Sequence, residues 1–316
     1  MSIGVSSFTV HRPSEPSDIR PRSDGEHLAW RPPTSSIPSN NPSTNYTAYN
    51  PSMHIAPPNG NANPPNHSTA TSSNQLDPSV ILPNGEMSLS GISTRAFFIG
   101  VVLGISSTIT ILLLTIYQTR LWRIPFFISS LCLFHFLEYW ATAQYNTQYA
   151  DVSSFLLTSN GPAYNIAHGS AMLECLISHY FFAPSTSPIL STFSTISVIF
   201  GIICMVTGQI VRTLAMATAG TNFNHVVQVR RQEGHVLVTG GIYRFLRHPS
   251  YFGFFWWGLG SQLVLQNVVC FVGYAVVLWQ FFNSRIYREE RFLIAFFGDE
   301  YISYKSRTII GIPFIA

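Results

Sequence analysis

The sequence predicts an all-α, polytopic membrane helix bundle of about six spans, with its chemistry gathered in the C-terminal third. Three observations carry this. Only 10% of the 316 residues are charged and 47% are hydrophobic, against about 25% charge in ordinary soluble domains. Apolar runs reach roughly 20 residues, the length a helix needs to cross a bilayer. The third is one nine-residue stretch, Tyr243-Arg-Phe-Leu-Arg247-His248-Pro249-Ser250-Tyr251, set directly before a long apolar run. Ionisable groups at a membrane boundary are costly to desolvate and mark sites more often than accidents. Pro249 biases His248 away from the α region and opens a helix behind it. A plain positive-inside anchor needs only Arg244 and Arg247. His248 and the flanking Gly240, Gly241 and Gly253 go beyond that need.

Residues 1–92 are a different material. Pro, Ser, Asn and Thr dominate, with Pro57-Pro58 and Pro64-Pro65 among them, and no apolar periodicity survives. Such a segment cannot bury enough apolar area to offset its ordering entropy, so disorder is expected. Nothing at the start reads as a signal peptide. Asn45-Tyr-Thr and Asn66-His-Ser match the glycosylation acceptor pattern, which matters only for a lumenal tail. The tail is expected in the cytosol.

Residues 93–218 read as the transmembrane bundle and 219–316 as the region carrying the site, with a two-helix membrane hairpin. The first span, from about Arg95 to Tyr117, is rich in Ile, Leu, Val and Thr. The second, Ile124 to Ala141, carries His135 and Glu138, which either face the interior or satisfy each other at i and i+3. The third, Ala167 to Phe182, carries His168, Glu174 and His179 at a spacing that makes no three-ligand metal face; interior polar contacts or mouth residues are expected. The fourth, Leu190 to Ala217, is too long for a crossing alone and should project beyond the bilayer. Valine-rich pieces around Gly234 are short strands or extended loop. Phe252 to Leu265 and Val268 to Phe282 then form a hairpin of short spans hinged at Gln266-Asn267. Arg285 to Arg291 leave the membrane on a helix, and an amphipathic tail follows from Phe296 to Phe314.

Charge and cysteines exclude several classes. A net charge of +3 without a basic, aromatic-interleaved stripe gives no footprint for nucleic acid. Cys132, Cys175, Cys204 and Cys270 lie in apolar runs without paired spacing, which predicts reduced thiols and no metal site. Arg212, Arg230, Arg231, Arg244 and Arg247 put the stretch between spans four and five in the cytosol. Counting back over six spans, Arg120 and Arg123 fall on the opposite side, against that rule.

From Gly208 to Phe314 the sequence resembles the isoprenylcysteine carboxyl methyltransferases of the endoplasmic reticulum. The motifs are Ala219-Gly-x-Asn-Phe-Asn-His225, Gly241-x-Tyr243, Arg247-His-Pro-x-Tyr251-x-Gly253, Glu289-Glu290 and Phe297-Gly298-x-Glu-Tyr301. They cover about a third of the chain; the earlier spans agree by hydropathy alone. The resemblance implies methyl transfer from S-adenosylmethionine (S-adenosyl-L-methionine) to the α-carboxylate of the prenylated C-terminal cysteine of CaaX-type proteins. It also implies a multi-pass protein of the endoplasmic reticulum membrane whose active site faces the cytosol. By the same correspondence Gln228, His235, Val236, Leu237, Val238, Tyr243, His248, Pro249, Ser250, Tyr251 and Glu289 line the cofactor site, and Arg285 holds the substrate carboxylate.

The residue chemistry is compatible with this. A carboxylate is ionised at neutral pH, so its methylation needs no general base. The site must orient it and exclude water. An Arg fork suits a carboxylate. One acid, the amides around His235 to Val238 and the rings of Tyr243 and Tyr251 suit a sulfonium nucleoside, and His248 is read as a donor rather than a base. A prenyl chain would enter sideways between helices. The plainer readings are an Arg285–Glu289 surface pair, a solvated face at Glu290 and Arg291, and Tyr301 and Tyr304 packing the tail. No Gly-rich loop follows a strand, so soluble-type cofactor binding is not expected. Alternatives are an NADPH-dependent membrane sterol reductase using Arg230-Arg231, a phospholipid N-methyltransferase, whose amine acceptor gives no reason for a facing Arg, and a transporter or scaffold, which would place polar groups at mid-membrane.

Overall fold

The computed structural model describes residues 78–182, 187–231 and 234–316. The two glycosylation patterns and residues 1–77 of the tail lie outside the described residues. Among the described residues seven α-helices follow in order: α1 (Leu89–Thr115), α2 (Arg123–Tyr145), α3 (Pro162–Phe181), α4 (Pro188–Ala219), α5 (Pro249–Leu265), α6 (Val269–Phe297) and α7 (Asp299–Arg307). Among the described residues four stretches are long and apolar enough to cross a membrane: Leu89–Thr115, Arg120–Tyr145, Pro188–Asn222 and Val269–Phe297. The expected third and fifth spans form α3 and α5: α3 has 20 residues, long enough to cross but less apolar than those four, and α5 has 17. Among the described residues no strand flanks Gly234, so the valine-rich pieces are extended loop. The sole β-type pairing among them is a parallel bridge between Leu246 and Ile309.

Local chemistry sets the boundaries. Ser88 Oγ accepts the Gly91 amide at 3.1 Å and caps α1. Proline opens α3, α4 and α5, where its missing N–H costs nothing. His248 precedes α5 at φ −127°, outside the helical region as Pro249 dictates. The hairpin turns at Gln266, which adopts the left-handed conformation at φ 60°. At its far side Glu174 makes a polar contact between helices. Its carboxylate accepts the amides of Val268, Val269 and Cys270 at 2.8, 2.8 and 2.7 Å. It caps α6 from another helix, at the end where the helix dipole favours an anion.

Helix α5 is buried along most of its length, which is why it is apolar all round. It meets α4 backbone to backbone. A Cβ at Gly208 would lie 2.5 Å from the Gly253 carbonyl oxygen, and one at Gly260 would lie 2.7 Å from that of Gly201. Only glycine allows this approach. The interior polar residues are shared between helices rather than paired locally. His135 Nδ1 donates to the Phe155 carbonyl at 2.8 Å, so its Nε2 accepts from Tyr164 Oη at 3.1 Å. Glu138 turns instead to α4. The i, i+3 pair therefore does not form. His168 pairs with Tyr274 across helices.

Candidate functional site

Three charged clusters meet where the C-terminal ends of α4 and α6 face the N-terminal end of α5. In the first, Arg212 donates from Nη2 to Glu138 Oε2 at 2.7 Å and from Nε to the other oxygen of that carboxylate, while Nη1 reaches Ser250 Oγ at 2.8 Å. Its guanidinium lies over the rings of Phe134 and Phe254 at 5.4 and 5.6 Å. Arg212 and Glu138 are both buried. A bidentate pair with further hydrogen bonds is the form in which a buried ion pair is tolerated.

The second cluster corrects the solvated face expected at Glu290. That residue is buried. It receives Arg247 Nε at 2.6 Å and Lys305 Nζ at 2.5 Å, with His248 Nε2 at 3.3 Å. A carboxylate only accepts, so in this contact the His248 proton sits on Nε2. Arg247 Nη1 also donates to the Thr308 carbonyl at 2.8 Å. The cluster thereby ties the segment after α7 beneath the loop that leads into α5. The two backbone bonds around the Leu246–Ile309 bridge complete the seam, Arg247 N to Ile309 O at 3.0 Å and Ile309 N to Phe245 O at 3.2 Å.

The third cluster replaces the direct Arg285–Glu289 pair. Arg285 Nε donates to Tyr251 Oη at 2.7 Å, and Tyr251 donates its own proton to Glu289. Arg285 Nη2 donates to the His225 carbonyl. Tyr251 stacks on His248 at 5.4 Å and on Phe282 at 5.2 Å, and the Arg285 guanidinium lies over its ring at 5.4 Å. The phenol thus serves as the relay between an arginine and an acid that the sequence shows only as i, i+4 neighbours.

These groups surround one cavity of about 240 Å³. Gln228, His235, Val236, Leu237 and Val238 line it from the loop after α4, and Tyr243 from the loop before α5. His248, Pro249, Ser250 and Tyr251 come from the start of α5, and Arg285 and Glu289 from α6. All twelve residues singled out in the sequence for cofactor or carboxylate therefore line one cavity. Residues to which the resemblance gave no cofactor or substrate role join them: Arg212, Asn222, His225 and Arg247, with Phe254, Phe281 and Phe282 on the apolar side. Tyr301 and Tyr304 also reach the cavity, so they do more than pack the tail. Tyr304 Oη donates to the Tyr243 carbonyl at 2.8 Å.

Burial shapes the titratable groups. It pushes the Tyr243 phenol above its ordinary value, with the Glu289 charge adding to the rise. It holds the His225 imidazole below the usual histidine range, more than the nearby Glu138 raises it. His235 is lowered by burial and then by Arg231. His225 Nε2 and Tyr301 Oη are buried on the cavity wall without a hydrogen-bond partner among the described residues. Such groups call for a ligand or ordered water. The basic pair Arg230-Arg231 lies elsewhere: both are exposed, and Arg231 donates to the Phe296 carbonyl at 3.0 Å.

A profile of the isoprenylcysteine carboxyl methyltransferase (ICMT) family matches residues 201–295. The protein-S-isoprenylcysteine O-methyltransferase of Saccharomyces cerevisiae is 42% identical over 224 residues, covering 71% of this chain and 91% of its own. That of Homo sapiens is 41% identical over 224 residues, covering 71% and 75%. A solved structure of the eukaryotic intramembrane Ras methyltransferase ICMT superposes with a TM-score of 0.64 at 37% identity, covering 71% of this chain and 77% of the other.

Proposed function

The chain belongs to the isoprenylcysteine carboxyl methyltransferase family, and from that premise we propose how its cavity works. It methylates the α-carboxylate of a prenylated C-terminal cysteine on CaaX-type proteins, with S-adenosylmethionine as the methyl donor. It does so at the cytosolic face of the endoplasmic reticulum membrane. The observation that carries this reading is the Arg285–Tyr251–Glu289 relay, which holds a cation and an anion apart on one wall of a partly apolar cavity.

The residues present fit such a donor. Two orphaned polar atoms, His225 Nε2 and Tyr301 Oη, face the cavity. An acid, amide-bearing loop residues and aromatic rings complement the cationic, carboxylate and adenine parts of the molecule. S-adenosylmethionine, when bound, supplies an electrophilic methyl on a sulfonium. Glu289, with Gln228, the segment His235–Val238, Tyr243 and the stretch His248–Tyr251, would bind and orient it.

Arg285 would take the substrate carboxylate. Tyr251 and the His225 carbonyl occupy two of its five N–H donors. These contacts fix the plane of the guanidinium and leave the remaining donors for a carboxylate. The acceptor is already ionised, so no residue need act as a base. His248, its Nε2 proton given to Glu290, holds the Tyr251 ring in register. Phe254, Phe281 and Phe282 exclude water and give the lipid chain an apolar flank.

A sterol-reductase reading would need Arg230-Arg231 at the cofactor, and neither lines the cavity. The test is direct: incubate membranes holding the protein with labelled S-adenosylmethionine and N-acetyl-farnesylcysteine, and assay for a base-labile methyl ester. Incorporation that is stable to base would overturn the proposal.

A further inference from the structure

The far end of α5 holds a second cavity. At 1.5 Å per residue the 17 residues of that helix put it some 25 Å from His248. Its volume is about 100 Å³, and its polar wall is Arg120, Arg123, Ser178, His179 and Gln266. We propose that it seats the phosphate group of a membrane lipid, in the leaflet opposite the catalytic cavity.

Unmet charge and hydrogen bonding carry the argument. Among the described residues neither arginine has a carboxylate within ion-pair distance. The acid closest in sequence to the α3 wall, Glu174, is engaged by three amides of α6. Arg120 donates to the Phe182 carbonyl at 2.7 Å, so serving the carbonyl end of α3 accounts for one cation. It does not account for Arg123, whose Nε is buried without a partner, as is His179 Nδ1. A water would satisfy either atom but would leave two positive charges uncompensated. A phosphate meets both needs, since guanidinium groups bind its oxygens in pairs.

The source of the phosphate follows from the rim. Tyr180, Phe181 and Phe182 end α3 beside the cavity and are 72%, 79% and 65% exposed, like the aromatic belts found at headgroup depth. The cavity has room for a phosphate rather than a whole headgroup.

The test uses the purified 316-residue chain in dodecyl maltoside micelles, a host that carries no phosphate. Thermal denaturation is followed while dioleoyl phosphatidate, dioleoylglycerol or inorganic phosphate is titrated in. Phosphatidate should raise the midpoint, and dioleoylglycerol, with the same acyl chains, should not. Arg123→Gln should require about tenfold more phosphatidate for the same shift, the loss of one contact at about 1.4 kcal/mol per tenfold. Arg230→Gln/Arg231→Gln, at the other end of the bundle, should respond like the parent. If Arg123→Gln does not fold, the parent's response to phosphatidate over dioleoylglycerol decides alone. An equal shift with inorganic phosphate would keep the seat but assign it to a soluble anion. Equal responses to the two lipids, or an unchanged requirement in a folded Arg123→Gln, would overturn the proposal.

Discussion

Replacing Glu290 with alanine should destabilise the protein far more than replacing any one of its partners at the surface. The carboxylate is buried and receives Arg247 at 2.6 Å, Lys305 at 2.5 Å and His248 at 3.3 Å. Removing it strands the Arg247 guanidinium, whose side chain is 5% exposed, with only the Thr308 carbonyl as acceptor. Breaking a buried pair from one side costs about 3–5 kcal/mol. The Lys305 leg is different, because that side chain is 40% exposed. Screening limits such a pair to about 0–1 kcal/mol. At about 2–4 °C per kcal/mol for a domain of this size, Glu290→Ala should lower the denaturation midpoint by roughly 6–20 °C. By the same conversion, Lys305→Ala should lower it by at most about 4 °C. Thermal denaturation in one detergent, monitored by tryptophan fluorescence, reads both. Equal midpoints for the two variants would refute the claim that the Arg247–Glu290 contact ties the C-terminal segment to the site.

Three further outcomes follow from the same geometry. Arg285→Ala should lower kcat/KM for a prenylcysteine about 10- to 150-fold, the equivalent of a charge-assisted contact of roughly 1.5–3 kcal/mol; Arg285→Lys should rescue only part, and normal turnover by the alanine variant would remove the carboxylate role. Gly208→Ala would place a Cβ 2.5 Å from the Gly253 carbonyl oxygen and should cost about 1–3 kcal/mol, whereas Gly100→Ala, with nothing within 4 Å, should be neutral or stabilising by up to about 1 kcal/mol; denaturation midpoints compare them. For His225 the folded imidazole is held below its ordinary value, so its contribution is intact above an unfolded pKa of about 6.5 and is lost as pH falls toward the folded pKa, because the unfolded chain takes up the proton first. A midpoint-against-pH series between about 7.5 and 5 should therefore fall less steeply for His225→Gln than for the parent.

The helices were legible because their signals are local. Length and apolarity mark α1, α4 and α6, and Pro249 fixes where α5 begins. The hairpin at Gln266-Asn267 was equally readable, since a polar pair interrupts an apolar run. What the sequence hides is which helix a polar residue faces. Glu138 reads as a partner for His135 at i+3, yet it meets Arg212, 74 positions away. Glu290 reads as the outer half of an acidic pair, yet α6 turns it inward and Glu289 toward Tyr251. Arg212 left one trace, a lone cation inside the 32-residue apolar run of α4. Because tertiary packing decides rotation about a helix axis, spacing could find the site residues without finding their partners.

The glycine contacts between α4 and α5 have a consequence for how the cavity opens. Two helices in contact through their backbones have no side-chain layer to slide on, so they move as one body. The loop residues that line the cavity between Asn222 and Val238 belong to none of the α-helices and stand outside that body. Among the described residues they are tied to it one contact at a time: Asn146 Nδ2 donates to the Phe223 carbonyl at 2.9 Å, Arg285 to the His225 carbonyl and Arg231 to the Phe296 carbonyl at 3.0 Å, and the His235 ring lies against Phe297. Loops held by separate contacts open at a lower free energy than a helix seam packed along its length. Amide hydrogen exchange should accordingly divide the molecule in time, with the loop exchanging ahead of the α4–α5 seam.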